Sequence, residues 1–107
     1  MPIKRFEIQL DDENIIYVYF TTIHGEVVDF VVKYIALIDG KEYEILRFDC
    51  AHGMPHVDIL DPTGETVEKR WIQHLDNKQA LTNARYNIEL NYPMYRDRFI
   101  KWLKKEK

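Results

Sequence analysis

The chain has 107 residues, 46% hydrophobic and 31% charged, so it is long enough to bury one hydrophobic core and is neither disordered nor fibrous in composition. A formal net charge of -3 argues against binding nucleic acid by bulk attraction alone, and no run of about 18 apolar residues predicts a membrane span. With one cysteine and no segment resembling a signal peptide, we expect a single cytoplasmic domain over residues 1–107.

The first half of the chain predicts a series of antiparallel strands. Phe6, Ile8 and Leu10 alternate with polar residues, which is typical of a strand with one solvent-facing side. Three further strands are predicted from runs of β-branched and aromatic residues: 15–22, 27–38 and 42–50. Asp39 and Gly40 are typical of a two-residue hairpin turn, so the last two of these strands should pair directly.

The second half changes to helical spacing after His74. Asp76 or Asn77 can cap a helix, and the apolar residues of that helix recur on one side: Leu81, Ala84 and Ile88. Pro93 predicts a break, beyond which a second apolar stripe follows: Tyr95, Phe99, Trp102 and Leu103. The sequence therefore predicts an α+β fold, with an antiparallel sheet of about five to six strands followed by two C-terminal helices packed on one face.

The segment from Arg47 to Asp58 carries the densest group of chemically useful side chains. If His52 and Gly53 close a two-residue hairpin loop, the register of the two flanking strands follows from the turn. The predicted pairs are polar on one face and apolar on the other: Asp49 with His56, Arg47 with Asp58, Phe48 with Val57, and Leu46 with Ile59. A polar face opposite a core-facing surface is what a half-buried hairpin requires.

The next turn predicts how a further strand joins this face. Asp61-Pro62-Thr63-Gly64 is typical of a type I turn followed by a glycine bulge, which makes a three-residue loop. The predicted pairs across that loop are Ile59 with Val67 and His56 with Arg70. The polar face is then expected to grow to include Glu68 and Arg70.

Three interpretations of this polar face stay open. As a metal site, His52, His56, Asp58 and Asp49 offer nitrogen and oxygen donors that suit zinc or another divalent ion. As ordinary cross-strand ion pairs on a solvated sheet, the same residues would each contribute about 0.2–1 kcal/mol to stability.

The third interpretation is a catalytic site for cleaving a phosphodiester without metal. A carboxylate opposite a histidine can orient the imidazole and raise its basicity, so Asp49 and His56 would act as the acid/base pair. His52 could supply the second proton-transfer group, while Arg47 and Arg70 could bind phosphate.

Two other residue types carry weaker signals. Cys50 alternates onto the face of Leu46 and Phe48, which predicts a buried, inert thiol. The tyrosines could stack on nucleic-acid bases, yet their spacing favours packing between sheet and helices: Tyr17, Tyr19, Tyr86, Tyr92 and Tyr95.

The stretch Arg47-Phe48-Asp49 through Asp58 resembles a family of small prokaryotic proteins grouped as a domain of unknown function. The likeness lies in an aromatic-Asp step, a His-Gly turn and a following His-x-Asp, and it extends to the helical segment 91–99. A more distant similarity is to the TumE-type toxins of toxin–antitoxin modules, where Phe48-Asp49 and the two histidines His52 and His56 are the matching positions. The first resemblance implies a grouping, and the second implies ribonuclease activity.

The sequence alone thus predicts a protein that binds or cleaves a phosphate-bearing substrate such as RNA, with no metal and no cofactor. The expected catalytic residues are Asp49, His52 and His56, and the expected substrate-binding residues are Arg47, Asp58 and Arg70. The alternative is a non-enzymatic interaction or regulatory module that pairs with a protein partner or with a second copy of itself. Whether the protein is an enzyme is left open, and no membrane association is expected.

Overall fold

A computed structural model describes residues 3–50 and 53–105 and shows a six-stranded antiparallel sheet followed by one long helix. The strands and helix run as follows: β1 Ile3–Asp11, β2 Asn14–Ile23, β3 Glu26–Ile38, β4 Lys41–Asp49, β5 His56–Leu60, β6 Thr66–Trp71 and α1 Asn77–Lys105. Each strand pairs with the next in chain order, so the sheet is a simple meander. The predicted α+β class and the strand count are confirmed.

The tight hairpin between β3 and β4 uses the turn residues that the sequence indicated. Asp39 and Gly40 both have positive φ, at 52° and 78°, and join β3 to β4. His24 and Gly25 do the same between β2 and β3, at 51° and 79°. Positive φ at both central residues matches the right-handed twist of the flanking strands, which is why asparagine-like residues and glycine are favoured there.

Helix α1 packs on β3 and β4 and covers one face of the sheet. The side chains in this core come from alternate positions of the central strands and from one side of the helix: Ile16, Val18, Phe30, Val32, Tyr34, Ala36, Leu46, Phe48, Ala80, Ala84, Ile88 and Phe99. Removing this apolar surface from water is the main contribution to stability, at about 25 cal/mol per Å². Among residues 3–50 and 53–105, no element lies over the opposite face of the sheet.

The prediction of two helices is wrong, because α1 continues through Pro93. Proline removes one helical hydrogen bond, but Ile88 and Phe99 on either side are both buried against the same sheet. The Asn87 side chain and carbonyl also accept hydrogen bonds from Tyr95 Oη at 2.5 Å and Asn91 Nδ2 at 2.9 Å, which tie together the turns around the proline. Burial of both halves outweighs the local cost of the proline.

The start of α1 is held by a reciprocal cap. The Gln79 amide donates to Asp76 Oδ1 at 2.8 Å, and the Asp76 amide donates to Gln79 Oε1 at 3.1 Å. Two amide groups that the helix cannot satisfy internally are paired in this way. Asn77 Nδ2 also donates to the Val27 carbonyl at 3.1 Å, which docks the first turn onto β3.

A polar network that the sequence did not indicate lies under the second half of the helix. Asn14 Oδ1 accepts from Tyr34 Oη at 2.5 Å and from Arg96 Nη1 at 3.2 Å, and Asn14 Nδ2 donates to Asp11 Oδ1 at 2.8 Å. Tyr92 Oη donates to Asp11 Oδ2 at 3.1 Å. Burial raises the pKa of the Tyr34 hydroxyl well above its usual range, so this group stays a neutral donor.

Within residues 3–50 and 53–105, no helix has the length and apolar character needed to cross a membrane.

Candidate functional site

The face of the sheet opposite α1, which we call the uncovered face, carries two neighbouring rows of side chains that cross all six strands. Direct Cα pairing places one row along Glu7, Tyr17, Lys33, Arg47, Asp58 and Lys69. The same pairing places the second row along Arg5, Tyr19, Val31, Asp49, His56 and Trp71. Residues that pair directly project to the same side of a sheet, so aromatic and charged groups from distant sequence positions become neighbours.

The predicted register between β4 and β5 is confirmed. Asp49 pairs with His56 and Arg47 with Asp58, while Phe48 and Leu46 pair with Val57 and Ile59 on the other face. The loop is longer than predicted, since β4 ends at Asp49 and β5 begins at His56. Met54 lies outside both strands, and the proposed site residue His52 lies outside the described residues.

His56 lies between two carboxylates. Its Nε2 is 2.9 Å from Asp49 Oδ1 and 3.4 Å from Asp58 Oδ2, and its Nδ1 is 3.3 Å from the Met54 carbonyl oxygen. We call Asp49, His56 and Asp58 the Asp–His–Asp triad. One atom from each residue lies within 4.8 Å of the other two, so the three side chains can share a single cation.

The triad is buried, whereas the sequence predicted a polar group open to solvent. The exposed fractions are 8% for Asp49, 2% for His56 and 7% for Asp58. The Trp71 ring covers His56, with the two ring centroids 5.0 Å apart, and Lys69 Nζ lies 3.6 Å from Asp58 Oδ1. Because His56 is enclosed, a substrate on the surface does not reach its ring nitrogens in this conformation.

The predicted register between β5 and β6 is wrong by one residue. His56 pairs with Trp71 rather than with Arg70, and Arg70 pairs with Val57, so Arg70 projects to the other face of the sheet. There Arg70 forms an ion pair with Glu68. Neither side chain therefore joins the triad.

A bulge opposite Leu60 causes this shift. The three-residue loop is present as predicted, with Asp61 accepting from the Gly64 amide at 2.9 Å and Gly64 at a φ of 89°. The register then shifts by one residue, since Leu60 pairs with Thr66 but Ile59 pairs with Glu68. An uninterrupted ladder would put Glu68 opposite Asp58, and like charges in directly opposed positions are destabilising. The bulge places Lys69 there instead.

Arg47 does not pair with the carboxylate opposite it. Its guanidinium bonds to Glu44 Oε2, with Nη2 at 2.7 Å and Nε at 2.8 Å. Glu44 reaches the uncovered face because the pairing of β3 with β4 shifts by one residue at Tyr34 and Ile35. A half-buried arginine held by two hydrogen bonds is kept on the surface of this face, where an anion can approach it.

Cys50 follows the prediction of a buried thiol. Its Sγ accepts a hydrogen bond from the Phe30 amide at 3.3 Å and lies 3.5 Å from Asp29 Oδ1. Burial raises the pKa of the thiol to about 11, so little thiolate forms near neutral pH and the group is a poor nucleophile.

Sequence reasoning missed Trp71 and Lys69 as neighbours of the triad, and it did not place Lys33 and Tyr19 on the same face of the sheet. All four lie on other strands, and only the sheet register brings them to the same face. One signal could have found the first two: the register without a bulge opposes Glu68 to Asp58, whereas a shift by one residue opposes a lysine to Asp58.

Comparison with known families gives a match over nearly the whole chain. A family described as a domain of unknown function (DUF7718) matches residues 1–105. No curated protein matches the chain, and no solved structure matches it. The family description names no activity and no source, so the prokaryotic origin and the likeness to TumE-type toxins stay predictions.

Proposed function

The chain belongs to the family described as a domain of unknown function (DUF7718), and we propose that it binds single-stranded RNA on its uncovered face. The observation that carries this proposal is the pair of cross-strand rows, which bring three aromatic rings and four cations onto one open face of the sheet: Tyr17, Tyr19, Trp71, Arg5, Lys33, Arg47 and Lys69. An antiparallel sheet with exposed aromatic side chains is one of the ways in which proteins bind unpaired bases.

The aromatic side chains on the uncovered face are held in position by neighbouring cations. Arg5 lies in the same row as Tyr19, and its Cζ is 5.8 Å from the Tyr19 ring centroid. Lys33 lies in the adjacent row, and its Nζ is also 5.8 Å from that centroid. Lys69 Nζ lies 5.5 Å from the Trp71 ring centroid. A base stacked on either ring would have a cation within reach of its phosphate.

The dimensions of the face suit a short extended strand. Tyr19 on β2 and Trp71 on β6 are four strand spacings apart, which is about 19 Å. A groove of about 320 Å³ lies beside Tyr19, with Arg5 and Asp29 in its lining. Arg47 lies between the two aromatic positions, so a strand that stacks at both ends would pass its guanidinium.

Part of the negative charge on the uncovered face is offset by neighbouring cations. Glu44 is paired with Arg47 and with Lys33, whose Nζ is 3.8 Å from Glu44 Oε1. Asp49 and Asp58 face His56, and Asp58 also faces Lys69. Repulsion of phosphate is thereby reduced, although the net charge of -3 restricts the protein to a few phosphate contacts.

Burial of His56 favours binding over cleavage. A general acid or base must come within about 3 Å of the proton it moves, or act through one water. His56 is covered by Trp71 and already lies against two carboxylates. We therefore keep Arg47 in the proposed binding surface, and assign Asp49, His56 and Asp58 no contact with the substrate.

The test compares matched substitutions on opposite faces of the sheet. Binding of a fluorescein-labelled single-stranded oligouridine is measured by anisotropy for Arg47→Ala, Tyr19→Ala, Arg70→Ala and Tyr86→Ala. We expect Arg47→Ala and Tyr19→Ala each to weaken binding about 10-fold, through a lost phosphate contact and a lost stacking platform. The slope of log K against log salt should fall in magnitude by about 0.7 for Arg47→Ala.

Arg70→Ala and Tyr86→Ala are the controls, since Arg70 projects to the other face and Tyr86 is exposed on α1. Equal losses in all four variants, or no binding by the parent, would refute the proposal. Gel filtration of the parent with and without RNA also tests the alternative of an interaction module, which requires a dimer or a protein complex in place of an RNA complex.

A further inference from the structure

We propose that the Asp–His–Asp triad is a binding site for one divalent transition-metal ion, best suited to zinc, with Nε2 of His56 and one carboxylate oxygen each from Asp49 and Asp58 as the ligands. This inference stands on the geometry of the triad and does not depend on RNA binding.

The hydrogen bonding of His56 leaves space for a cation. Nδ1 lies 3.3 Å from the Met54 carbonyl, which can only accept, so Nδ1 carries a proton. In a neutral imidazole, Nε2 then presents a lone pair, and that lone pair faces the oxygens of Asp49 and Asp58. Three acceptors directed at one point repel one another unless a proton or a metal ion lies between them.

The separations of the ligand atoms fit a coordination sphere. Two ligands at about 2.1 Å from zinc are about 3.0 Å apart at a right angle and about 3.4 Å apart at the tetrahedral angle. The distances from His56 Nε2 to the two carboxylates are 2.9 Å and 3.4 Å. Both separations from His56 Nε2 therefore match those between ligands of one zinc ion.

An independent observation is the state of Asp58. This residue is 7% exposed, yet its buried Oδ1 accepts no hydrogen bond among the described residues. Lys69 Nζ is 3.6 Å away, which is within ion-pair range but too long for a hydrogen bond. A buried carboxylate oxygen that lacks a hydrogen bond is costly, and a divalent ion bound by Asp58 would offset that cost.

The donor set and its surroundings select the class of ion. Imidazole nitrogen disfavours Mg²⁺ and Ca²⁺, while two carboxylates and no thiolate disfavour Cu(I), which leaves zinc and its first-row neighbours. The Met54 carbonyl faces Nδ1 of His56 and favours a proton on that nitrogen, which is the usual arrangement when the other ring nitrogen of a histidine binds a metal. Three protein ligands leave a fourth position for water beneath Trp71, which is 47% exposed.

The primary experiment is calorimetric titration of tag-free, chelator-treated protein with Zn²⁺. We expect one equivalent to bind with a Kd at or below about 10 μM, and saturating zinc to raise Tm by at least about 5 °C. Asp58→Asn and His56→Asn should remove both effects. His74→Asn and Asp97→Asn, which change exposed residues outside the triad, should retain them.

A second measurement applies to the parent, in case the triad variants fail to fold. Zinc should shift the ¹⁵N resonance of His56 Nε2 while Nδ1 stays protonated, and Co²⁺ should quench fluorescence from Trp71 but not from the Trp71→Phe variant. Absence of zinc binding by the parent, an unshifted Nε2 resonance, or equal binding by the triad variants would overturn the proposal.

Discussion

Two buried polar groups lie on opposite faces of the same sheet and differ in how their donors and acceptors balance. In the network around Asn14, the oxygens of Asn14 and Asp11 accept from Tyr34, Arg96 and Tyr92 and from the Asn14 side-chain amide. In the triad, two carboxylates and a carbonyl surround one imidazole, and an oxygen of Asp58 accepts no hydrogen bond. The acceptors of the first group are supplied with donors, whereas in the second a buried oxygen of Asp58 has none among the described residues.

Because of this difference, the two groups should respond differently to substitution. A satisfied network rigidifies the fold, and its loss should appear as lost stability. A buried carboxylate oxygen without a hydrogen bond is stabilised by an added cation, so the stability of the protein around the triad should depend on whether a metal ion binds. The three predictions below test that contrast in order of expected effect.

The largest effect is expected from Asn14→Ala. This change leaves the buried Tyr34 hydroxyl without its acceptor and removes one acceptor of Arg96, so we expect the free energy of unfolding to fall by about 2–4 kcal/mol. Urea denaturation followed by circular dichroism measures the loss. Asn83→Ala, at an exposed position of α1, is the matched control and should change stability by less than about 0.5 kcal/mol. Equal losses in both variants would contradict a structural role for Asn14.

A smaller effect is expected from Lys69→Met, which probes the triad. Removing the ammonium leaves the buried Asp58 without its neighbouring cation, and we expect a loss of about 1 kcal/mol in metal-free protein. The same denaturation measurement applies, with the exposed Lys101→Met as control. Unchanged stability would mean that Lys69 does not stabilise the buried Asp58, and the expected role of this ion pair would be wrong.

The smallest effect concerns pH and the Asn14 network. The hydrogen bond from the Glu13 amide lowers the pKa of Asp11 below its usual 3.8. A carboxyl with a depressed folded-state pKa stabilises the protein above about pH 4, and this contribution is lost as pH falls through the folded value. Asp11→Asn should therefore flatten the decline in stability below pH 4, by less than about 1 kcal/mol because the side chain is exposed. Asp12→Asn, in the same turn, serves as the comparison, and identical acid profiles for the parent and Asp11→Asn would refute the assignment.

Much of the candidate site could be predicted from local sequence. The register of β4 with β5 followed from the predicted turn and agreed with the alternation of residues, because a shift of β5 by one residue would turn Val57 and Ile59 away from the core. Burial of the triad could not be predicted in this way, since the covering groups Trp71 and Lys69 come from β6. The positions of Trp71 and Lys69 depend on the bulge in the β5–β6 pairing, which places Lys69 opposite Asp58.

The sequence by itself determined the order of the strands, the turns at Asp39-Gly40 and Asp61 to Gly64, and the cap of the helix at Asp76, because short-range backbone preferences decide those features. Tertiary structure decided whether α1 continued past Pro93 and which face Arg70 occupied. The first outcome depends on burial against strands far from α1 in the chain, and the second depends on the charges that face each other across the β5–β6 hairpin; in both, these contacts outweigh local propensity.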